Sequence, residues 1–267
     1  MKKLKWLSIF LILPIVLLLF PQVALTAKAP TIDKSNLAKG IIAVKYDEGQ
    51  KASYMMRISK GMVSDDYQVA TAVNYPLTAG NGKYKVTIGE LVEGKKYKVI
   101  AAEEVNLDLK DDKVVFLQST QMINWNDKTK AVVKAKELVK NAKNDEEKIG
   151  AIYRYIVNNF IYDNEKAKVV KTRYVPDLDA TYDAATGICY DYATMMAAML
   201  RSVGIPAKLV MGYHKDDIAT YHAWNKVYLD GKWVTIDTTY DAPVIQAGYM
   251  TPMLKLDANY TNVHKTY

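Results

Sequence analysis

The sequence predicts an α+β chain in two parts: an N-terminal antiparallel β-sandwich, then helices packed on an antiparallel sheet. Three observations carry this. Residues 41–116 run in period two, with Gly, Asn and Asp between short stretches, which is the pattern of strands and turns. From residue 127 to Ser202 apolar residues recur at helical spacing. Residues 222–229 and 232–238 then flank Asp230-Gly231, a strong hairpin signal. Helices followed by an antiparallel sheet make an α+β order.

The chain opens on Lys2, Lys3 and Lys5, continues as an apolar run from Trp6 to Phe20 broken only by Ser8 and Pro14, and reaches small residues at Ala24, Ala27 and Ala29. Those are the parts of a secretory signal peptide, so the expected location is secreted or extracytoplasmic. Left uncleaved, the same segment is long enough to anchor the chain with its domains outside, the one way a membrane enters. The expected division is a leader over 1–29, a β-sandwich over 30–120 and a second domain over 121–267.

Within the sandwich, Gly82-Lys83-Tyr84-Lys85-Val86-Thr87-Ile88 and Lys96-Tyr97-Lys98-Val99-Ile100 alternate around a turn at Glu93-Gly94-Lys95. Residues 52–58, 68–73, 105–109 and 114–117 are further expected strands, the last two separated by Asp111-Asp112. Short strands at close spacing argue for a small sandwich. Residues 127–142 carry Val132, Val133, Leu138 and Val139 at helical spacing, and Asn144-Asp145-Glu146-Glu147 opens a second helix striped with Ile149, Ile152, Tyr153, Ile156 and Val157. Residues 166–186 read as a polar connection. A third helix follows over Cys189–Ser202, stopped by Gly204 before Pro206, and residues 208–213 are a strand.

Half of the 267 residues are apolar and about a quarter charged, an ordinary globular balance. The formal charge of +7 falls to about +4 without the leader lysines. Basic and acidic residues alternate, so nucleic acid is not an expected partner. A single cysteine excludes an intramolecular disulfide and any Cys-based metal cluster. The three histidines lack ligand spacing, so neither a metal nor another cofactor is expected.

That lone thiol is Cys189. Gly187-Ile188-Cys189 opens the third helix, where the dipole and free backbone N–H groups favour a thiolate and can face an oxyanion. The hairpin supplies partners by counting. With Asp230-Gly231 as the turn, Leu229 faces Lys232, Trp224 faces Asp237 and His222 faces Thr239. His222, Trp224, Lys226 and Tyr228 then share a face with Trp233, Thr235, Asp237 and Thr239, while Val227, Leu229, Val234 and Ile236 turn to a core. His222 and Asp237 are diagonal neighbours, roughly 7 to 8 Å apart at the backbone. Thiol, imidazole and carboxylate together make the nucleophile, base and orienter of acyl transfer. His214 belongs to a polar loop, and His264 has no visible partner.

These residues resemble a known family. Gly187-Ile188-Cys189-Tyr190-Asp191-Tyr192-Ala193, Leu200-Arg201-Ser202-Val203-Gly204-Ile205-Pro206-Ala207, Gly212-Tyr213, His222-Ala223-Trp224-Asn225, Val227-Tyr228-Leu229-Asp230-Gly231-Lys232-Trp233 and Asp237-Thr238-Thr239-Tyr240-Asp241 are similar, in that order, to the transglutaminase-like core domain. The resemblance covers residues 145–242. It implies a papain-like fold with Cys189 as nucleophile, His222 as base and Asp237 as orienting acid. Its members include protein cross-linkers, peptidases, amidases and inactive forms, so the implied activity is acyl transfer or hydrolysis on protein or peptide amides, cell-wall peptide included. One departure is Lys226, where the family often has an acid. Tyr174, Tyr182 and Trp224 are candidates to line the acyl site or aid the oxyanion, with aromatic packing as the competing role for each. The rival from another class is a non-catalytic surface or wall-binding module on the same scaffold.

Overall fold

A computed structural model describes residues 29–47, 53–171 and 173–267. The expected leader therefore lies, but for its last residue, outside the described residues. In the N-terminal part the strands are β1 (Thr31–Asp33), β2 (Ile41–Lys45), β3 (Tyr54–Lys60), β4 (Val63–Gln68), β5 (Tyr75–Pro76), β6 (Gly82–Glu93) and β7 (Lys96–Leu107). They form two antiparallel sheets, ordered β1-β2-β5 and β4-β3-β6-β7. Alternation explains the packing: Tyr54, Met56 and Ile58 of β3 and Tyr84, Val86 and Ile88 of β6 join Ile42 and Val44 of β2 in the core. The intervening Arg57 faces out and binds Asp66 of β4 through two hydrogen bonds of 2.6 and 2.7 Å.

Several local expectations change here. The strand expected at 68–73 lies earlier, as β4, because the polar run Val63-Ser64-Asp65-Asp66-Tyr67-Gln68 sits at a sheet edge with only Tyr67 buried. Residues 105–107 continue β7 instead of forming a strand of their own. Residues 114–117 belong to a 3-10 helix, Asp112–Leu117, because Asp111 accepts the Lys113 N–H and caps it.

The C-terminal part begins with α1 (Lys130–Leu138) and α2 (Asp145–Asn159). Helix α1 is shorter than residues 127–142 because Asn126 and Thr129 close a turn on each other. Asn144 caps α2 through the Glu147 N–H at 2.8 Å. Residues 166–186 are not simply a connection. Around and within them lie β8 (Ile161–Tyr162), α3 (Asn164–Val169), α4 (Leu178–Ala184) and β9 (Thr186–Gly187), with Asp163 and Asp177 as caps.

Helix α5 (Cys189–Ser202) is buried from Tyr190 through Arg201 and packs on α1 and α2 on one side and on β10 (Ala207–His214) and β11 (Asp217–Leu229) on the other. Beyond β11 come β12 (Lys232–Ile236), α6 (Thr238–Gln246), β13 (Leu254–Lys255) and β14 (Tyr260–Thr266), giving the sheet order β13-β12-β11-β10-β14. The register Leu229↔Lys232 to Asn225↔Ile236 is the one counted from the sequence. The ladder stops there: β12 ends two residues before 238, since Asp237 caps α6 through the Tyr240 N–H at 3.0 Å. The expected His222–Thr239 pairing therefore does not form.

The molecule is α+β, a sandwich followed by a helix-and-sheet core. Arg201 ties the parts together from within, donating to the carbonyl oxygens of Ala207, Gln118 and Tyr267 at 2.9, 2.7 and 3.0 Å. Burial holds its pKa down at about 9.

Candidate active site

Cys189 occupies the first turn of α5, half-buried and free. Its position is built by a chain of local contacts. Residues of β8 and β9 pair in parallel, Tyr162 with Gly187, and Asp163 donates its N–H to the Gly187 oxygen at 2.9 Å. Asp163 in turn caps α3 and so presents Lys166. The Lys166 ammonium reaches the Asp191 carboxylate at 2.7 Å, the Tyr174 hydroxyl donates to the same carboxylate at 2.5 Å, and Asp191 folds back to accept the Ile188 N–H at 2.8 Å. Gly187 permits this fold-back: a Cβ there would stand 2.6 Å from that of Asp191.

His222 enters from β11, opposite Gly212 of β10. Its Nε2 lies 2.7 Å from Asp237 Oδ2, and its ring stacks on Trp224 with centroids 6.1 Å apart. Cys189 is the other side chain that acts on the imidazole, and with Nε2 taken by Asp237, Nδ1 is the nitrogen left for the thiol. Burial disfavours the imidazolium, but the bonds to Asp237 and Cys189 outweigh it and raise the His222 pKa to about 10.

Asp237 is buried and fully engaged. Its Oδ1 takes the Tyr240 N–H; its Oδ2 takes His222 and also the Tyr260 hydroxyl at 3.0 Å. Tyr260 lies on β14, its ring between Trp224 and His214 at 4.8 and 5.3 Å. Burial and the Asp237 charge push its phenol far above the ordinary tyrosine range. Gly212 lets β14 come this close, because a Cβ would meet the Thr261 and Asn262 oxygens at 2.8 Å.

The structure thus brings Cys189, His222 and Asp237 into one connected set, and Trp224 joins it as a packing surface. The Trp224 Nε1 is buried without an acceptor among the described residues and is shut off from the open side. Tyr174 touches the assembly through Asp191. Tyr182 packs on Tyr155 and Phe160, with ring centroids 6.4 Å away in each case. Lys226 turns away to Asp257, 2.8 Å distant. His214 stacks on Tyr240, and His264 lies between Tyr213 and Tyr221. Sequence reasoning missed Lys166, Asp191 and Tyr260. Asp191 has a linear signal, an acid three residues into a helix; Tyr260 has none.

A free thiol opening a buried helix, beside an imidazole on an antiparallel sheet that is held by a carboxylate capping the next helix, makes a papain-like, cysteine-centred site on an α+β frame. Residues 133–238 match the family model of the transglutaminase-like superfamily, and this segment of the chain belongs to that superfamily. Among curated proteins, the mouse (Mus musculus) kyphoscoliosis peptidase is 29% identical over 118 residues, 41% of this chain and 18% of its own. A protein-glutamine gamma-glutamyltransferase of Pseudomonas aeruginosa is 34% identical over 74 residues, 23% of this chain and 11% of its own. The chain thus spans less than a fifth of the length of these relatives. Among solved structures, a TGase is 28% identical over 41% of this chain and 30% of that chain with a TM-score of 0.33. The red sea bream transglutaminase is 13% identical, covering 74% and 47%, with a TM-score of 0.32.

Proposed function

We propose that the protein is a cysteine-dependent acyltransferase or hydrolase acting on protein or peptide amides through a thioester on Cys189. The observation that carries this is His222 held between Asp237, at 2.7 Å, and the Cys189 thiol, with its pKa raised to about 10. At neutral pH such an imidazole is an imidazolium beside the sulfur, holding the proton that the departing amine needs. Sulfur attacks the amide carbon, and the C–N bond breaks as His222 gives its proton to the departing amine. An incoming amine or water then attacks the thioester carbon, His222 takes its proton, and the C–S bond breaks to restore the pair. Backbone N–H groups in the first turn of α5 are the oxyanion donors of this reading. Asp191 and Lys166 hold that turn in place as positioning residues.

The same reading takes residues 1–29 as a leader that exports the sandwich over 30–120 and the transglutaminase-like domain over 121–267 together, or that anchors them outside the membrane if it is retained. The test uses the full chain, dimethylcasein and dansylcadaverine, with release of ammonia and peptide followed in parallel. Incorporation or release that disappears in Cys189→Ser supports the reading. A native chain that yields neither product and whose thiol is inert to iodoacetamide until unfolded refutes it, and marks a binding module on an inactive scaffold.

A further inference from the structure

Between the sandwich and the core lies a cleft of about 590 Å³, in the range of ligand sites. Asp66 and Gln68 of β4 line it from the sandwich; Arg173 of the stretch between α3 and α4, Tyr221 of β11, Lys265 of β14 and Tyr267 line it from the core part. Neither Cys189 nor His222 lines it, so its occupant is independent of the acyl-transfer reading.

The polar groups of the wall divide into engaged and free. Asp66 takes Arg57 through two bonds of 2.6 and 2.7 Å. Lys265 donates to the Ser64 oxygen at 3.0 Å and pairs with the Asp65 carboxylate. The Tyr174 hydroxyl donates to Asp191, the Tyr190 hydroxyl to the Met122 sulfur, and the Gln121 amide to the main-chain oxygen of Gln68. The side-chain donors left without a partner among the described residues are the Gln68 amide, the Arg173 guanidinium and the hydroxyls of Tyr221 and Tyr267. Tyr267 is the most unusual of these. Only 6% of it is exposed, and a buried tyrosine hydroxyl ordinarily finds a partner within the protein. Here no described residue bonds it, and it is not among the polar atoms sealed from solvent. Burial first, then neighbouring Asp65, Tyr190 and Tyr221, push its phenol far above the ordinary tyrosine range. Burial is also the first cause that raises the Tyr221 phenol. Both hydroxyls therefore stay protonated and donate, and their mutual influence places them near each other.

We infer that this cleft is a carboxylate-binding site, in which Arg173, Tyr221 and Tyr267 grip the carboxylate of a peptide. The free groups are chiefly donors, so the matching ligand is rich in acceptors. Charge points the same way. With their ion-pair partners included, the side chains of the wall set Arg57, Lys265 and Arg173 against Asp65 and Asp66, which leaves one cation for one negative charge. An ionised carboxylate offers about four lone-pair sites, and a guanidinium fork with two hydroxyls offers about as many donors. A phosphate group carries a larger charge, for which the wall has no second free cation among the described residues. A neutral occupant would leave the guanidinium uncompensated. Met55, Val69 and Met122 line the same cleft and cover the uncharged body of the ligand. The carboxylate has two sources in a peptide, the chain end and an acidic side chain, and both present the same group.

The test is titration calorimetry of the full chain with acetyl-trialanine, its carboxamide, the carboxamide of acetyl-alanyl-glutamyl-alanine, and inorganic phosphate. A peptide carrying a carboxylate is expected to bind roughly ten- to hundredfold more tightly than the trialanine carboxamide, the worth of hydrogen bonds to a charged group. Acetyl-trialanine shows the preference if the site takes chain ends, and the glutamyl peptide shows it if the site takes side chains. Arg173→Gln, at an exposed position, should erase the preference. Tyr267→Phe keeps the buried ring and breaks no bond within the described residues, and it should lower the preference roughly tenfold. Equal affinities for the carboxylate peptides and the carboxamide, phosphate binding more tightly than either carboxylate peptide, or a preference that survives both substitutions would overturn the inference. None of these readouts passes through Cys189, so this inference and the acyl-transfer reading fail separately.

Discussion

Asp237→Asn probes the centre of the site. The carboxylate takes three donors: His222 Nε2 at 2.7 Å, the Tyr260 hydroxyl at 3.0 Å and the Tyr240 N–H at 3.0 Å. An asparagine has one acceptor oxygen for these two sides. If the oxygen keeps the cap of α6, the amide NH₂ faces Nε2, and the imidazole must turn that nitrogen into an acceptor, placing its proton on the side of the thiol. If the amide flips, the cap is lost. Either way a hydrogen bond to a charged group disappears, about 1.5–3 kcal/mol, or roughly ten- to hundredfold at 1.4 kcal/mol per decade. With no second cysteine in the sequence, the iodoacetamide rate reads this one thiol. At neutral pH the variant should react roughly ten- to hundredfold more slowly, and the titration that ends the imidazolium state should slide from about 10 back toward the ordinary 6.5. A folded Asp237→Asn protein whose pH profile superimposes on the native one would refute the reasoning.

Three further outcomes follow from the same geometry. Tyr260→Phe removes one donor from Asp237 Oδ2 and should slow alkylation by roughly tenfold, with the upper limb of the pH profile displaced; an unchanged limb would reduce Tyr260 to packing. Gly212→Ala drives a methyl against the Thr261 and Asn262 oxygens and the Trp224 ring; it should cost about 1–3 kcal/mol in urea denaturation and slow alkylation too, since β14 carries Tyr260. The raised His222 pKa makes stability depend on pH: its contribution is complete below about 6.5 and is lost as pH rises through about 10. It amounts to a few kcal/mol at about 1.4 per unit. Thermal melts between those limits should fall more steeply for the native chain than for His222→Gln.

Much of the site was legible because its parts are local. A helix beginning at Cys189 needs only the Gly187-Ile188 lead and the apolar run behind it. The register relating His222 to Asp237 needs only a two-residue turn at Asp230-Gly231, where both residues have positive φ and the ladder Leu229↔Lys232 to Asn225↔Ile236 follows by counting. Where counting failed, a cap intervened: Asp237 was read as a strand residue and is the cap of α6, so its carboxylate is buried and held by three donors instead of lying on an open sheet face. The same capping chemistry, at Asp111, Asp163 and Asp177, produced helices where strands or loops were expected.

What the sequence by itself determined is therefore the chemistry and the local frame: one thiol, its helix, the hairpin with its imidazole and carboxylate, and the order of sandwich, helices and sheet. Only the tertiary structure decided what surrounds them. Tyr260 is 23 residues from Asp237, and Asp65 is 200 residues from Lys265; no periodicity connects such pairs. They meet where β14 pairs with β10 and its Lys265 reaches the edge of the sandwich, next to the buried Arg201 and Trp224. Packing of apolar area is non-directional and set by the whole chain, whereas caps and turns are set by a few neighbouring residues. That physical difference is why the reactive groups could be read along the line, and why Tyr260 and the strand that brings it to Asp237 could not.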